Sequence, residues 1–197
     1  MTKILDGKTC FLSGASGGLG QEIAKELAIH NCNLFLTGTN KEKLKELKEN
    51  IKNSINNKIK IDYEIGDLNN LKDIEKIIST TKNSFNKIDI LINSAGLFVV
   101  KSIQDSTLNE FEKSYNVNIR APFIFSKTFS EDMIKNEWGR IVNIGSSSSY
   151  SGFKNGSIYC SSKHAILGLS RTLEKELKPK NVRTYCISPG SIKTDMG

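Results

Sequence analysis

A phenol and an ammonium stand four residues apart in the run Ser157-Ile158-Tyr159-Cys160-Ser161-Ser162-Lys163. On a helix an i,i+4 pair shares one face, so Tyr159 and Lys163 are expected to be neighbours. A free phenol is a poor base at neutral pH, and a nearby ammonium favours the phenolate. The pair is therefore equipped for general acid/base work, although a Tyr-x-x-x-Lys spacing alone also arises on any amphipathic helix. Thirteen residues before Tyr159 stands Ser146, just past an apolar run at 140–144. A hydroxyl there can donate to a carbonyl oxygen as negative charge develops on it. The adjoining Ser147, Ser148 and Ser149 read as a polar loop.

A second constellation lies near the start, in Ser13-Gly14-Ala15-Ser16-Gly17-Gly18-Leu19-Gly20. Glycines let the backbone turn sharply and approach a pyrophosphate, and a following helix offers free N–H groups and the positive end of its dipole. Two spacings fit at once: Gly14, Gly18 and Gly20 as G-x-x-x-G-x-G, or Gly14, Gly17 and Gly20 as G-x-x-G-x-x-G.

The elements that must position these groups alternate along the chain. Strand-like segments at 9–13, 33–37, 58–65, 88–92, 140–144 and 182–187 are separated by helix-like segments at 18–30, 41–52, 71–84, 108–136 and 157–177. In 41–52, for example, Leu44, Leu47 and Ile51 recur at a three-to-four spacing. Such alternation implies a parallel sheet with helices on both faces, and the doubly wound, Rossmann-type α/β fold leads the few topologies left by right-handed crossovers. The 108–136 helix is expected to be interrupted near Pro122. Proline cannot donate to the Asn118 carbonyl four residues earlier, which leaves that oxygen open to a water or ammonium, or else marks a kink that only serves packing. Asp67, after the third strand, either contacts a ligand or caps the next helix.

The glycine turn, Asn93-Ser94-Ala95-Gly96, Asn118, Ser146, Tyr159-x-x-x-Lys163 and Pro189-Gly190 occur in an order and spacing that resembles the short-chain dehydrogenase/reductase family over essentially the whole chain. The resemblance implies a nicotinamide-dependent oxidoreductase that moves hydride between nicotinamide C4 and a carbonyl carbon. Tyr159 would be the acid/base, Ser146 would hold the carbonyl, Lys163 would bind the nicotinamide ribose, and Asn118 would hold a water linking Lys163 to solvent. Cofactor contacts are implied at Gly14, Ser16, Gly18, Leu19, Gly20, Thr39, Asp67, Leu68, Asn93, Ala95, Gly96, Tyr159, Lys163, Pro189, Gly190, Ile192 and Thr194. The family usually has Asn where this chain has Ser94. The segments around 139–144 and 194–196 are similar to those of 3-oxoacyl-(acyl carrier protein) reductases, which suggests a small carbonyl or alcohol substrate that could be acyl-carrier-bound. A homo-oligomer is the assembly the resemblance implies.

NAD-preferring relatives usually carry an acid at the position of Gly38, to bind the ribose 2′-hydroxyl. With none here, a 2′-phosphate meets no repulsion, and Ser16, Thr39, Asn40 and Lys41 could hold it. NADP(H) is therefore expected over NAD(H), although Thr39 stands where many NADP-preferring relatives have Arg. Family members continue for several tens of residues past the Pro-Gly turn, so the final strand and the substrate-covering segment are expected to be missing from this chain. The edge at 182–187 would then be exposed or paired, and nucleotide binding would be easier than turnover.

Composition limits the rest. With 197 residues one domain spanning 1–197 is expected. No apolar run reaches the roughly 18 residues of a membrane span, and the first six residues do not resemble a signal peptide, so a cytoplasmic protein is expected. Cys10, Cys32, Cys160 and Cys186 lack metal-ligand spacing and read as reduced thiols. The net charge of +7 comes largely from lysines interleaved with glutamates at helical spacing, which suits a solvated face better than a nucleic-acid patch. Two rival readings stand: a non-catalytic nucleotide-binding or assembly subunit, and a sugar-nucleotide epimerase or dehydratase, which the second glycine spacing allows.

Overall fold

Every residue of β1 (Thr9–Ser13) is buried, which a strand achieves only when both faces of its sheet are covered. The computed structural model describes residues 5–54 and 59–190. In it β1 lies between β2 (Asn33–Gly38) and β4 (Ile90–Asn93), and the whole sheet is parallel in the order β3-β2-β1-β4-β5-β6. Here β3 is Ile61–Ile65, β5 is Gly139–Ile144 and β6 is Val182–Ile187. The helices are α1 (Gly18–Ile29), α2 (Lys41–Ser54), α3 (Leu71–Ser84), α4 (Leu108–Tyr115), α5 (Ala121–Lys135) and α6 (Ser157–Leu177). This is the doubly wound arrangement, and the winding direction reverses between β1 and β4, where such sheets open a crevice.

Strand alternation divides the core in two. Phe11, Phe35, Leu91 and Ile141 pack against Ile74 and Ile77 of α3 and Phe125, Phe129 and Met133 of α5. Phe11 lies 4.7 Å from Phe125 and 4.8 Å from Phe129, ring centre to ring centre, close enough for aromatic pairing to add to area burial. On the opposite face Cys10, Leu12, Leu34 and Leu36 meet Ala24 and Ala28 of α1 and Leu44, Leu47 and Ile51 of α2. The lysines of α2 at 41, 43, 45 and 52 are exposed around that apolar stripe.

The interruption expected near Pro122 in the 108–136 helix takes the form of a π-helical turn over Asn116–Arg120, between α4 and α5. Ala121 N–H reaches back five residues to the Asn116 carbonyl. The wide turn sits directly before Pro122, whose missing N–H and bulky ring bar a regular α ladder. Among the described residues no strand covers the outer side of β6, and Tyr185 and Ile187 on it are exposed. Among the same residues no helix is long and apolar enough to cross a membrane.

Candidate active site

At the C-terminal ends of the strands, around the reversal between β1 and β4, lies a cavity of about 990 Å³. It runs from the turn after β1 to the start of α6. Gly14, Ser16, Gly18, Leu19, Gly20, Thr39, Asp67, Leu68, Ala95, Gly96, Ser146, Tyr159, Lys163, Pro189 and Gly190 all line it.

The turn works by leaving atoms out. Gly14 has φ +73°, and a Cβ there would lie 2.6 Å from the Ala95 nitrogen. A Cβ on Gly20 would lie 2.2 Å from the Gly14 carbonyl oxygen. Ala15 N–H donates to the Thr37 carbonyl at 2.9 Å, tying the turn to β2. Gly17 caps α1 without a side chain, so the first-turn N–H groups of Gly18, Leu19 and Gly20 face the cavity wall uncapped. A cradle that admits no Cβ, below an uncapped helix terminus, fits the pyrophosphate of a dinucleotide.

Beyond the turn, a Cβ on Gly38 would lie 2.4 Å from Ser16 Oγ. Thr39 borders the same region, whereas Asn40 and Lys41 do not line the cavity. Asn40 instead accepts the Lys43 N–H at 2.9 Å, as a cap of α2. Asp67 accepts the Asn69 N–H at 2.8 Å, while the capping of α3 falls to Asn70, which accepts the Lys72 N–H at 3.0 Å. Of the two roles open to Asp67, the cap thus belongs to another residue. Two groups that the sequence did not single out hold this loop. Arg120 Nη2 donates to the Asn69 carbonyl at 2.7 Å, and Asn116 Nδ2 donates to Asn69 Oδ1 at 2.7 Å. Both come from the π turn.

Asn93 differs from expectation. Its side chain is buried on the face of the sheet under α6, where it donates to Asn143 Oδ1 at 2.7 Å, and it does not line the cavity. Ile192 and Thr194 lie outside the described residues.

At the other end α6 carries Tyr159 and Lys163 one turn apart, with the Lys163 ammonium 5.6 Å from the Tyr159 ring centre. Lys163 is only 6% exposed and donates to the Ile144 carbonyl at 2.8 Å. Burial pushes it down to about 8, against a smaller opposing pull from Cys186. Ser146 accepts the Ser148 N–H at 3.1 Å on its Oγ, and its own N–H donates to Ser149 Oγ at 3.1 Å. The serines read as a loop thus form a short 3-10 turn, Ser147–Ser149, that fixes Ser146 in place.

Asn118 does not line the cavity but fastens its wall. Its Oδ1 accepts the Leu97 N–H at 2.7 Å, and its Nδ2 donates to the Leu97 carbonyl at 3.0 Å, Ser162 Oγ at 2.9 Å and Ser114 Oγ at 3.3 Å. The wall so held includes Phe98, which with Phe153 flanks Tyr159. Neither phenylalanine carries a sequence signal, since an isolated apolar residue in a loop has no period to read.

The model of the short chain dehydrogenase family matches residues 8–197. The chain is 33% identical over 192 residues to the 3-oxoacyl-(acyl-carrier-protein) reductase of Aquifex aeolicus, a span of 98% of this chain and 77% of that protein. A metagenomic short-chain oxidoreductase in complex with NADP is similar in structure, with a TM-score of 0.88 at 26% identity over 95% of this chain and 84% of that one. An NAD+-bound xylitol dehydrogenase gives a TM-score of 0.87 at 29% identity over 95% of this chain and 71% of that one.

Proposed function

The chain belongs to the short chain dehydrogenase family, and from that premise we propose how its own residues divide the work. It is an NAD(P)-dependent oxidoreductase that interconverts a carbonyl and an alcohol. The observation that carries the residue assignment is that Ser146, Tyr159 and Lys163 line one cavity with the Cβ-excluding turn.

When bound, the dinucleotide supplies or accepts the hydride at its nicotinamide ring. Gly14, Gly18, Leu19 and Gly20 would hold its phosphates, with Ala95 and Gly96 beside them. Asp67 and Leu68 would border its adenine, and Pro189 and Gly190 its nicotinamide end. Ile192 and Thr194 keep the cofactor contact that the resemblance implies, at the nicotinamide carboxamide. Because Ser146 Oγ already accepts a backbone N–H, its hydrogen is left to donate to the substrate oxygen. Tyr159 gives its proton to that oxygen in reduction and takes one in oxidation. Lys163 places a positive charge beside the phenol and binds the nicotinamide ribose. The Asn118 side chain is already engaged on both its polar atoms. Its backbone carbonyl is therefore the group that takes a water between Lys163 and solvent.

The finer cofactor reading is NADP(H) over NAD(H). An acid at position 38 would bring a Cβ to 2.4 Å from Ser16 Oγ, so that hydroxyl would have to turn away to make room for a 2′-hydroxyl-binding carboxylate. Ser16 and Thr39 remain to meet a 2′-phosphate. The likeness to an acyl-carrier-protein reductase supports a substrate delivered on an acyl carrier. Exposed Leu108, Phe111 and Phe123 on α4 and α5 support assembly with further copies.

The test pairs Tyr159→Phe with a carbonyl screen under NADPH and NADH. The variant's kcat falls ~10²–10⁴-fold while its dinucleotide Kd stays within about threefold. An equal rate in both proteins, or none in either, would return the chain to a non-catalytic nucleotide-binding role. Tighter NADH than NADPH binding would overturn the cofactor preference alone.

A further inference from the structure

Beside the phenol stand two aromatic rings that the mechanism does not use. Phe98 meets Tyr159 edge-on at 4.7 Å between ring centres, and Phe153 lies 6.5 Å from Tyr159 and 6.2 Å from Phe98. Both rings are exposed, at 45% and 42%, and both line the cavity. An apolar ring left half in solvent within a cavity carries a driving force to be covered.

The rings are also held in place. Asn118 grips both backbone groups of Leu97, the residue before Phe98. Lys101 N–H donates to the Asn155 carbonyl at 2.8 Å, joining the segment that carries Phe98 to the one that carries Phe153. A Cβ on Gly156 would lie 2.8 Å from two atoms of the Phe153 ring, so that glycine is what lets the ring lie against the start of α6. The interplanar angle of 37° at 6.2 Å leaves no slot for a third ring between them. Together they make one continuous wall next to Tyr159. With Leu97, which also lines the cavity, the wall offers no polar side-chain atom. A substrate hydroxyl pressed against it would lose water and gain no partner.

We propose that Phe98 and Phe153 are the specificity wall of this site and select carbonyls that bear an apolar group, aryl or alkyl, beside the reacting carbon. Polyhydroxylated carbonyls are disfavoured. The inference rests on the oxidoreductase reading above.

The test uses the full chain with NADPH and three ketones: acetophenone, 2-octanone and a ketohexose. Both apolar ketones show kcat/KM at least ~10-fold above the ketohexose. Phe98→Ala and Phe153→Ala each reduce that ratio ~5-fold or more, chiefly through KM, and the exposure of both rings keeps the core out of the change. The aryl and alkyl arms tell which apolar group the wall fits better. A wild-type ratio near one, or a ratio unmoved by both substitutions, overturns the proposal. If no ketone is turned over, titration of the same three into the NADP+-loaded protein decides. Apolar-selective binding weakened by either substitution keeps the wall and sinks only the catalytic reading, whereas unselective binding sinks the wall.

Discussion

At the β1 end of the cavity the fit is made by backbone and by missing atoms, whereas at the β5–β6 end it is made by side chains. Gly14 and Gly20 bring backbone alone, with no room for a Cβ, which would lie 2.6 Å from Ala95 N and 2.2 Å from Gly14 O respectively. Asn118, Ser146 and Lys163 contribute directed hydrogen bonds, of which Asn118 alone makes four. The first end therefore answers to volume and the second to polarity. Gly20→Ala is the sharpest way to break the comparison, because the atom it meets is backbone and cannot step aside. Dinucleotide affinity is expected to fall ~100-fold or more by titration calorimetry, with an overpacking cost of about 1–3 kcal/mol in stability. A Kd within threefold of the wild type would show that volume does not govern this end.

The same contrast explains what was legible beforehand. The glycine turn, Ser146 and the Tyr159–Lys163 face could be read because each is local: a turn type, a strand end, one helical turn. The strand–helix alternation likewise gave the parallel sheet. Asn93 was misplaced because the segment was read as a motif and not as a strand end. In β4 it stands opposite Asn143 of β5, and the pleat turns both side chains to the face that α6 covers, where Asn143 donates to Ser170 Oγ, while Ser94, Ala95 and Gly96 run on along the cavity. The Pro122 signal located an interruption but could not specify a π turn, since the extra residue is set by what Asn116, Asn118 and Arg120 must reach. Those contacts span 21 to 51 residues, to Leu97 and Asn69, and no local pattern records them.

Lys163 gives the next largest effect and sharpens the polar side of the comparison. Its folded value, about 8, lies below the ordinary lysine value because burial disfavours the charged form. Below pH 8 both states bind the proton and the fold carries the full cost of burying the charge. Between about 8 and 10.5 the unfolded chain holds the proton and the folded one does not, so stability rises with pH through that window. The shift corresponds to roughly 3 kcal/mol. Lys163→Met removes this term. Without cofactor, the wild type should therefore gain stability on the variant as pH rises from 7 to about 10, by denaturant midpoints at each pH. A pH-independent gap would mean that the ammonium is better solvated than its 6% exposure implies.

The smallest effect concerns β6, the strand at the sheet edge. Glu174 of α6 accepts the Thr184 N–H at 2.7 Å and the Arg183 Nε–H at 2.8 Å, pinning helix to strand. The Thr184 N–H, helped by the Arg183 and Lys178 charges, holds its carboxyl below the ordinary value. That stabilisation is present above the unfolded carboxyl value and is lost as pH falls through the folded one. Glu174→Gln keeps an oxygen for Thr184 but gives up the charge opposite Arg183. The pair is partly exposed, so the loss at pH 7 should be at most about 1 kcal/mol, a fall in Tm of about 2–4 °C for a chain this size. The gap should close as pH falls through the folded carboxyl value, which lies below the ordinary one, and the wild-type carboxylate takes up its proton. If the gap persisted there, Glu174 would act through shape, and the division between a steric end and a polar end would not extend to the edge strand β6.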